Sequence, residues 1–276
     1  MEVIVAAPTP AAPSSAALPR PRRLQRLTVL GLTALGLAVL GLAGKLLIPP
    51  APATNRMASP PPASVGTLVD ERLPTIPLLD AAGRPTSLAA FRGKTVVLTD
   101  FMTSCQEQCP ITTGALEQLR SEVNRAGLAN HVAIIDVSID PQRDTPARLR
   151  AYSARTGVEL TLLTGRPQAL SSLWKFLGIY IHRVPASSPP TTDWLTGRPY
   201  TYDLQHQDGV FFFGPDGREK FVVAGPANVG GALTPRLAGL LGPIGRQNLQ
   251  LPPPEAWTVP QLADVLHWLT NVQLRG

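Results

Sequence analysis

The sequence predicts an α/β protein, a central mixed sheet flanked by helices, preceded by an N-terminal transmembrane helix. Short apolar runs at 95–101 (TVVLTDF) and 132–139 (VAIIDVSI) alternate with helix-period segments, the pattern of parallel strands covered on both faces. Late in the chain, Gly214-Pro215-Asp216-Gly217-Arg218 separates two further apolar runs and marks an antiparallel hairpin. Near the start, Leu27 to Ile48 is apolar apart from Thr28, Thr33 and Lys45, and its roughly 22 residues are long enough to cross a hydrocarbon core of about 30 Å.

The beginning of the chain divides by composition. Residues 1–26 are Ala/Pro-rich with an arginine cluster and read as a disordered cytoplasmic tail; 27–48 is the transmembrane helix; 49–68 is a Pro-rich linker. Residues 69–276 form one domain with an insertion at about 225–256. Of the formal net charge of +6, four charges come from Arg20, Arg22, Arg23, Arg26 and Lys45 against Glu2. By the positive-inside rule these arginines hold the N-terminus in the cytoplasm and put the domain outside, on a single-pass anchor in the cell membrane. The competing reading is a cleaved signal peptide with Ala51-Pro52-Ala53 as its site; the apolar stretch exceeds the usual 7 to 15 residues of such a segment, which favours the anchor. After residue 60 no basic run interleaves with aromatics, so a nucleic-acid partner is not expected.

Within the domain, Leu73 to Leu79, a turn cluster at 80–84 and Leu88 to Phe91 suggest a short hairpin-like opening. The strand at 95–101 comes next. Pro110 suits the first turn of a helix that runs through Leu116, Leu119 and Val123 to a stop at Gly127. After the strand at 132–139, Thr145 caps a helix through Leu149 and Tyr152, and Leu160 to Leu163 is a short strand. Leu170 to Leu177 is a helix in which Trp174 and Phe176 belong to the core, and Tyr180 to Val184 is extended. Gly209 to Phe213 and Lys220 to Val223 are the arms of the hairpin, and Gln261 to Leu269 is a closing amphipathic helix begun by Pro260. The periodicity does not account for the Gly/Pro-rich stretch 225–256.

Both cysteines lie in Thr103-Ser104-Cys105-Gln106-Glu107-Gln108-Cys109-Pro110, between a buried strand and a helix start. A helix N-terminus presents unpaired N–H groups and partial positive charge, which favour thiolates as nucleophiles and metal ligands. The plainer reading is a structural disulfide in an oxidising compartment. A bridge closing so short a loop restrains the unfolded chain little, which favours chemistry over stapling.

At these residues the chain resembles the Sco/SenC family of thioredoxin-like copper proteins. Besides Cys105-x-x-x-Cys109-Pro110, the resemblance rests on Ser138-Ile139-Asp140-Pro141-Gln142-Arg143-Asp144-Thr145-Pro146, on Tyr202-Asp203-Leu204-Gln205-His206, and on the Pro215-Asp216-Gly217 turn. It covers about residues 70 to 223 and the last helix. It implies a thioredoxin-like fold and copper, Cu(I) or Cu(II), bound by Cys105, Cys109 and His206. It also implies a role in assembling the copper centre of cytochrome c oxidase, with that enzyme's copper-bearing subunit, or other extracytoplasmic copper and thiol proteins, as partner. The chain departs from the family where Gln106-Glu107 replaces the common Pro-Asp, where Gln205 replaces Asp, and in the 225–256 insertion.

Elementary chemistry agrees with that ligand set. Two sulfurs and an imidazole suit both copper oxidation states, whereas structural zinc wants a fourth protein ligand; Glu107 reads as a solvated loop carboxylate. In a thioredoxin-like topology His131 falls at the far end of the sheet, and His206 precedes an antiparallel strand that starts at the cysteine end. His182 is the reserve ligand and His267 a packing residue of the last helix. Asp140 and Asp144 read as structural, at a strand exit and helix cap. Three functions compete: a copper metallochaperone; a thiol-disulfide oxidoreductase in which Cys105 attacks and Cys109 resolves, with His206 dispensable; and a peroxide-reducing enzyme, in which the cysteine spacing and distant histidine have no evident role. The first is favoured, so the chain is read as a binding protein before an enzyme.

Overall fold

The structure, a computed structural model, describes residues 58–72 and 75–274. The predicted cytoplasmic tail and transmembrane helix, and the start of the linker, lie outside the described residues. Among those described, no helix is long and apolar enough to cross a membrane.

The domain opens with strands β1 (Thr67–Arg72), β2 (Leu78–Asp80) and β3 (Pro85–Thr86) and a 3-10 turn at Leu88–Phe91. The core succession follows: β4 (Thr95–Phe101), α1 (Cys109–Arg125), β5 (Val132–Ser138), α2 (Pro146–Thr156), β6 (Thr161–Thr164) and α3 (Pro167–Phe176). A hairpin of β7 (Ile181–Pro185) and β8 (Tyr202–His206) precedes the predicted hairpin, β9 (Gly209–Phe213) and β10 (Arg218–Ala224). The stretch without periodicity is ordered as β11 (Ala227–Asn228), α4 (Pro235–Ala238), α5 (Pro243–Gln250) and β12 (Trp257–Thr258), and α6 (Val259–Thr270) closes the chain.

Eight strands form one sheet in the order β1-β10-β9-β4-β5-β6-β2-β3. β4 lies parallel to β5, and β5 to β6, each pair joined through a helix, while β9 runs antiparallel to β4. This is the mixed, helix-flanked sheet of a thioredoxin-like fold. Every residue of β4 is buried, Thr95, Thr99 and Asp100 included, as in a strand covered on both faces. α1 buries Ile111, Ala115, Leu116, Leu119 and Val123 on one stripe, and α6 does the same with Leu262, Val265 and Leu266; the two helices pack together. Pro110, Pro146, Pro167, Pro243 and Pro260 all sit in first turns, where the missing N–H costs nothing.

Two elements escape the sequence pattern. β1 is almost wholly exposed and exists by pairing with β10 at the sheet edge, and β8 is held by β7 in a separate two-stranded sheet.

β5 carries a charge-capable residue where none would be placed by hydrophobicity. Asp136 is fully buried, with Oδ2 accepting from Thr113 Oγ1 at 3.3 Å, and burial pushes its carboxyl up to about 8. Between about pH 4 and 8 the native chain keeps a proton that the unfolded chain has released, so stability falls as pH rises, by at most about 1.4 kcal/mol per pH unit. Asp136→Asn is expected to flatten this slope between about pH 6 and 8. Urea midpoints measured across that range check it, and an unchanged slope refutes it.

Candidate functional site

β4 ends at Phe101, and the loop from Met102 to Gln108 carries the chain into α1, so both cysteines stand at the C-terminal edge of the parallel strands. Cys109 opens the helix and is buried, while Cys105 is partly exposed on the loop; both are free thiols. The loop curls so that the backbone N–H groups of Glu107 and Cys109 each donate to Cys105 Sγ at 3.4 Å. Hydrogen bonding from the Cys109 thiol, with these N–H groups, draws the Cys105 thiol below its ordinary value, and the same contact together with burial pushes Cys109 well above. The pair is therefore unequal: the outer thiol gives up its proton more readily than the inner one.

His206 reaches this end of the sheet because β9 runs antiparallel to β4. Gly209, its first residue, donates its N–H to Asp100 Oδ1 at 2.9 Å and accepts at its carbonyl from Thr99 Oγ1 at 2.8 Å. That junction fixes the end of β8 beside the cysteine loop. Cys105 and His206 line a single cleft of about 430 Å³, with Met102, Gln108 and Leu204 among its walls. The imidazole Nδ1 stands 2.8 Å from Asp100 Oδ2 and 3.7 Å from Asp208 Oδ1. Burial opposes its protonation, but Asp100, then Asp208 and Cys105, outweigh that and lift His206 to about 9. Burial, and the nearby Asp100, push Asp208 up to about 6.

The predicted residues are thus at one edge, yet the ligand atoms that approach within 4.8 Å of one another, among the described residues, are those of Asp100, His206 and Asp208. The two sulfurs and the imidazole are not drawn that close. Asp100 and Asp208 are the site residues that sequence reasoning missed. For Asp100 a signal existed: a carboxylate inside a fully buried strand needs a partner. His182 is exposed and paired across the hairpin with Gln205, out of phase with His206. His131 precedes β5, its carbonyl accepting from Thr95 at the far end of β4, and His267 lies on α6. Glu107 is exposed at the cleft.

Behind the loop lies a buried polar cluster. Asp144 accepts from the Thr103 hydroxyl at 2.5 Å and the Ser138 hydroxyl at 2.6 Å. Arg148 donates through Nε to the Thr103 hydroxyl at 2.6 Å and grips Asp193 through both terminal nitrogens, at 2.8 and 3.1 Å. Trp194 Nε1 donates to the Thr103 carbonyl at 2.7 Å. Asp140 pairs with Arg143 and accepts from the Tyr202 hydroxyl at 2.7 Å. The Ser138–Pro146 motif therefore fastens the loop before Cys105, and Tyr202 at the start of β8, to the same frame.

Fold and site together define a thioredoxin-like protein with a dithiol loop and a histidine paired with a buried carboxylate at one sheet edge. Residues 74–230, more than half of the chain, match the model of the SCO1/SenC family, and the chain belongs to that family. A protein of Stutzerimonas stutzeri named for copper binding is 28% identical over 183 residues, which cover 66% of this chain and 84% of that one. The mitochondrial SCO2 homolog of Bos taurus is 26% identical over 140 residues, 51% of this chain and 49% of its own length, so the chain spans about half of that relative. Among solved structures, Bradyrhizobium japonicum ScoI with copper bound is similar at 22% identity and a TM-score of 0.45, over 63% of this chain and 97% of that one.

Proposed function

We propose that the chain is an extracytoplasmic copper metallochaperone that holds copper at Cys105, Cys109 and His206 and passes it to the copper-bearing subunit of cytochrome c oxidase. Its anchor is the apolar segment 27–48, with the N-terminus in the cytoplasm. The single observation that carries this reading is the shared cleft of Cys105 and His206, whose Nδ1 faces Asp100. A carboxylate on one ring nitrogen orients the imidazole and leaves the other nitrogen as the ligand. Two soft sulfurs beside it favour Cu(I), and the nitrogen supports Cu(II). Family membership and the copper-binding name of the Stutzerimonas stutzeri relative support the choice of metal. Binding all three ligands requires the imidazole and the sulfurs to draw closer than they stand here, and the open cleft permits ligand exchange with a partner.

The test is copper bound per full-length chain with thiols reduced. About one copper per chain is expected, falling to background in Cys105→Ser and in Cys109→Ser, and a wild-type chain that binds none defeats the proposal. Affinity is expected to rise with pH through about 9 and beyond, because protons on His206 and on the Cys109 thiol both compete with the metal.

A second reading, a thiol-disulfide oxidoreductase, is favoured by the inequality of the two thiols. Cys105 would attack a target disulfide and Cys109 would resolve the mixed disulfide. Reductase turnover undiminished in His206→Ala, with no copper bound by wild type, selects it.

A further inference from the structure

The stretch 225–256 folds directly onto the cysteine loop. The Gly242 N–H donates to the Gln106 carbonyl at 2.8 Å. Gly245, in the first turn of α5, lies so near that a Cβ there would come 2.9 Å from the Glu107 carbonyl and closer still to that of Gln106. Gly245 has no left-handed φ, so close approach and not backbone conformation demands glycine. From other sides, Gln106 Nε2 donates to the Thr192 carbonyl at 2.9 Å and Gln108 Nε2 to the Ala227 carbonyl at 3.0 Å.

The peptide unit gripped in this way has a second end. Its carbonyl belongs to Gln106 and its N–H to Glu107, and in a trans peptide the two point in opposite directions. The carbonyl faces α5, and the N–H faces Cys105 Sγ at 3.4 Å. Fixing one aims the other.

We infer that the 225–256 segment is a positioning element of the dithiol. Gly242 and Gly245 hold the Gln106–Glu107 peptide so that its N–H stays on Cys105 Sγ, which favours the reduced pair over the disulfide. The inference rests on the reading of Cys105 and Cys109 as the working pair, and not on copper. It also gives the segment a role in which its glycines, and not its prolines, do the positioning.

Equilibration of the metal-free full-length chain with dithiothreitol tests it. The reagent's two thiols lose two electrons and two protons as its S–S bond closes, and the Cys105–Cys109 bond breaks and takes up both. Gly242→Pro removes the donor at a φ of −73° that the ring accepts, and its Cδ, in place of the hydrogen, pushes the Gln106 carbonyl away. Gly245→Ala pushes the carbonyl away by contact. Each is expected to shift the equilibrium about fivefold toward the disulfide, whereas Gly242→Ala keeps the N–H, meets its nearest neighbours at 3.4 Å or more, and is expected to stay within about twofold of wild type. An equilibrium within about twofold of wild type in both Gly242→Pro and Gly245→Ala, or an equally large shift in Gly242→Ala, overturns the inference. Failure of the wild-type chain to bind copper would defeat the chaperone reading and leave this comparison intact, because the exchange is read without metal.

Discussion

Replacing His206 with alanine is expected to weaken copper binding by the reduced chain at least about 100-fold, and Asp100→Asn by about 10- to 100-fold, without unfolding either variant. The two losses have different causes. His206→Ala deletes a ligand, while Asp100→Asn keeps the ring and removes the carboxylate that orients it through Nδ1 at 2.8 Å. Asp100→Asn carries a further signature. With that charge gone, His206 no longer holds its proton up to about 9, so the rise of affinity with pH moves to lower pH. Competition against a chromophoric copper chelator over a pH series measures both effects. Unchanged affinity in His206→Ala removes the imidazole from the ligand set and leaves a dithiol protein.

Arg148→Met is expected to destabilise the fold by about 3 to 5 kcal/mol, the cost of leaving buried acids without their cation. Asp193 loses both guanidinium bonds, Asp144 loses a positive neighbour 3.8 Å away, and the Thr103 hydroxyl loses a donor. Burial already pushes Asp144 up to about 6, and for Asp193 burial works in the same direction but is outweighed by Arg148. Arg148→Lys is expected to recover little, since a single ammonium cannot reproduce the forked contact. Urea unfolding monitored by tryptophan fluorescence gives the difference; a loss under about 1 kcal/mol would mean that solvent, and not Arg148, satisfies these carboxylates.

The elements that announced themselves are those whose burial follows from local pattern. β4, β5, α1 and the β9–β10 hairpin were legible because largely apolar runs, a 3.6-residue stripe and a Pro-Asp-Gly turn each favour one conformation. Thr145 was likewise legible as a cap, and its hydroxyl accepts from the Arg148 N–H at 3.3 Å. β1 was not legible: TLVDER has no alternation, and its backbone is satisfied only by a partner some 150 residues away in sequence. The cysteines and His206 could be placed at one sheet edge from strand directions alone. What strand directions could not supply is the set of buried charges around them. Asp100, Asp136 and Arg148 sit in segments that read as ordinary strand or helix, and their partners come from distant parts of the chain. Nor could composition reveal that a Gly/Pro-rich stretch would supply the backbone contact beside Cys105, because close approach of two main chains leaves no trace in hydropathy.

The two margins of the eight-stranded sheet carry a consequence for crowding. At one margin β3 is only two residues long; at the other β1 is broken by a register shift between Leu68 and Glu71 and bristles with Asp70, Glu71 and Arg72. Neither offers a long, flat row of open backbone groups to a neighbouring copy. At these two margins, therefore, neighbouring copies have little to join strand to strand.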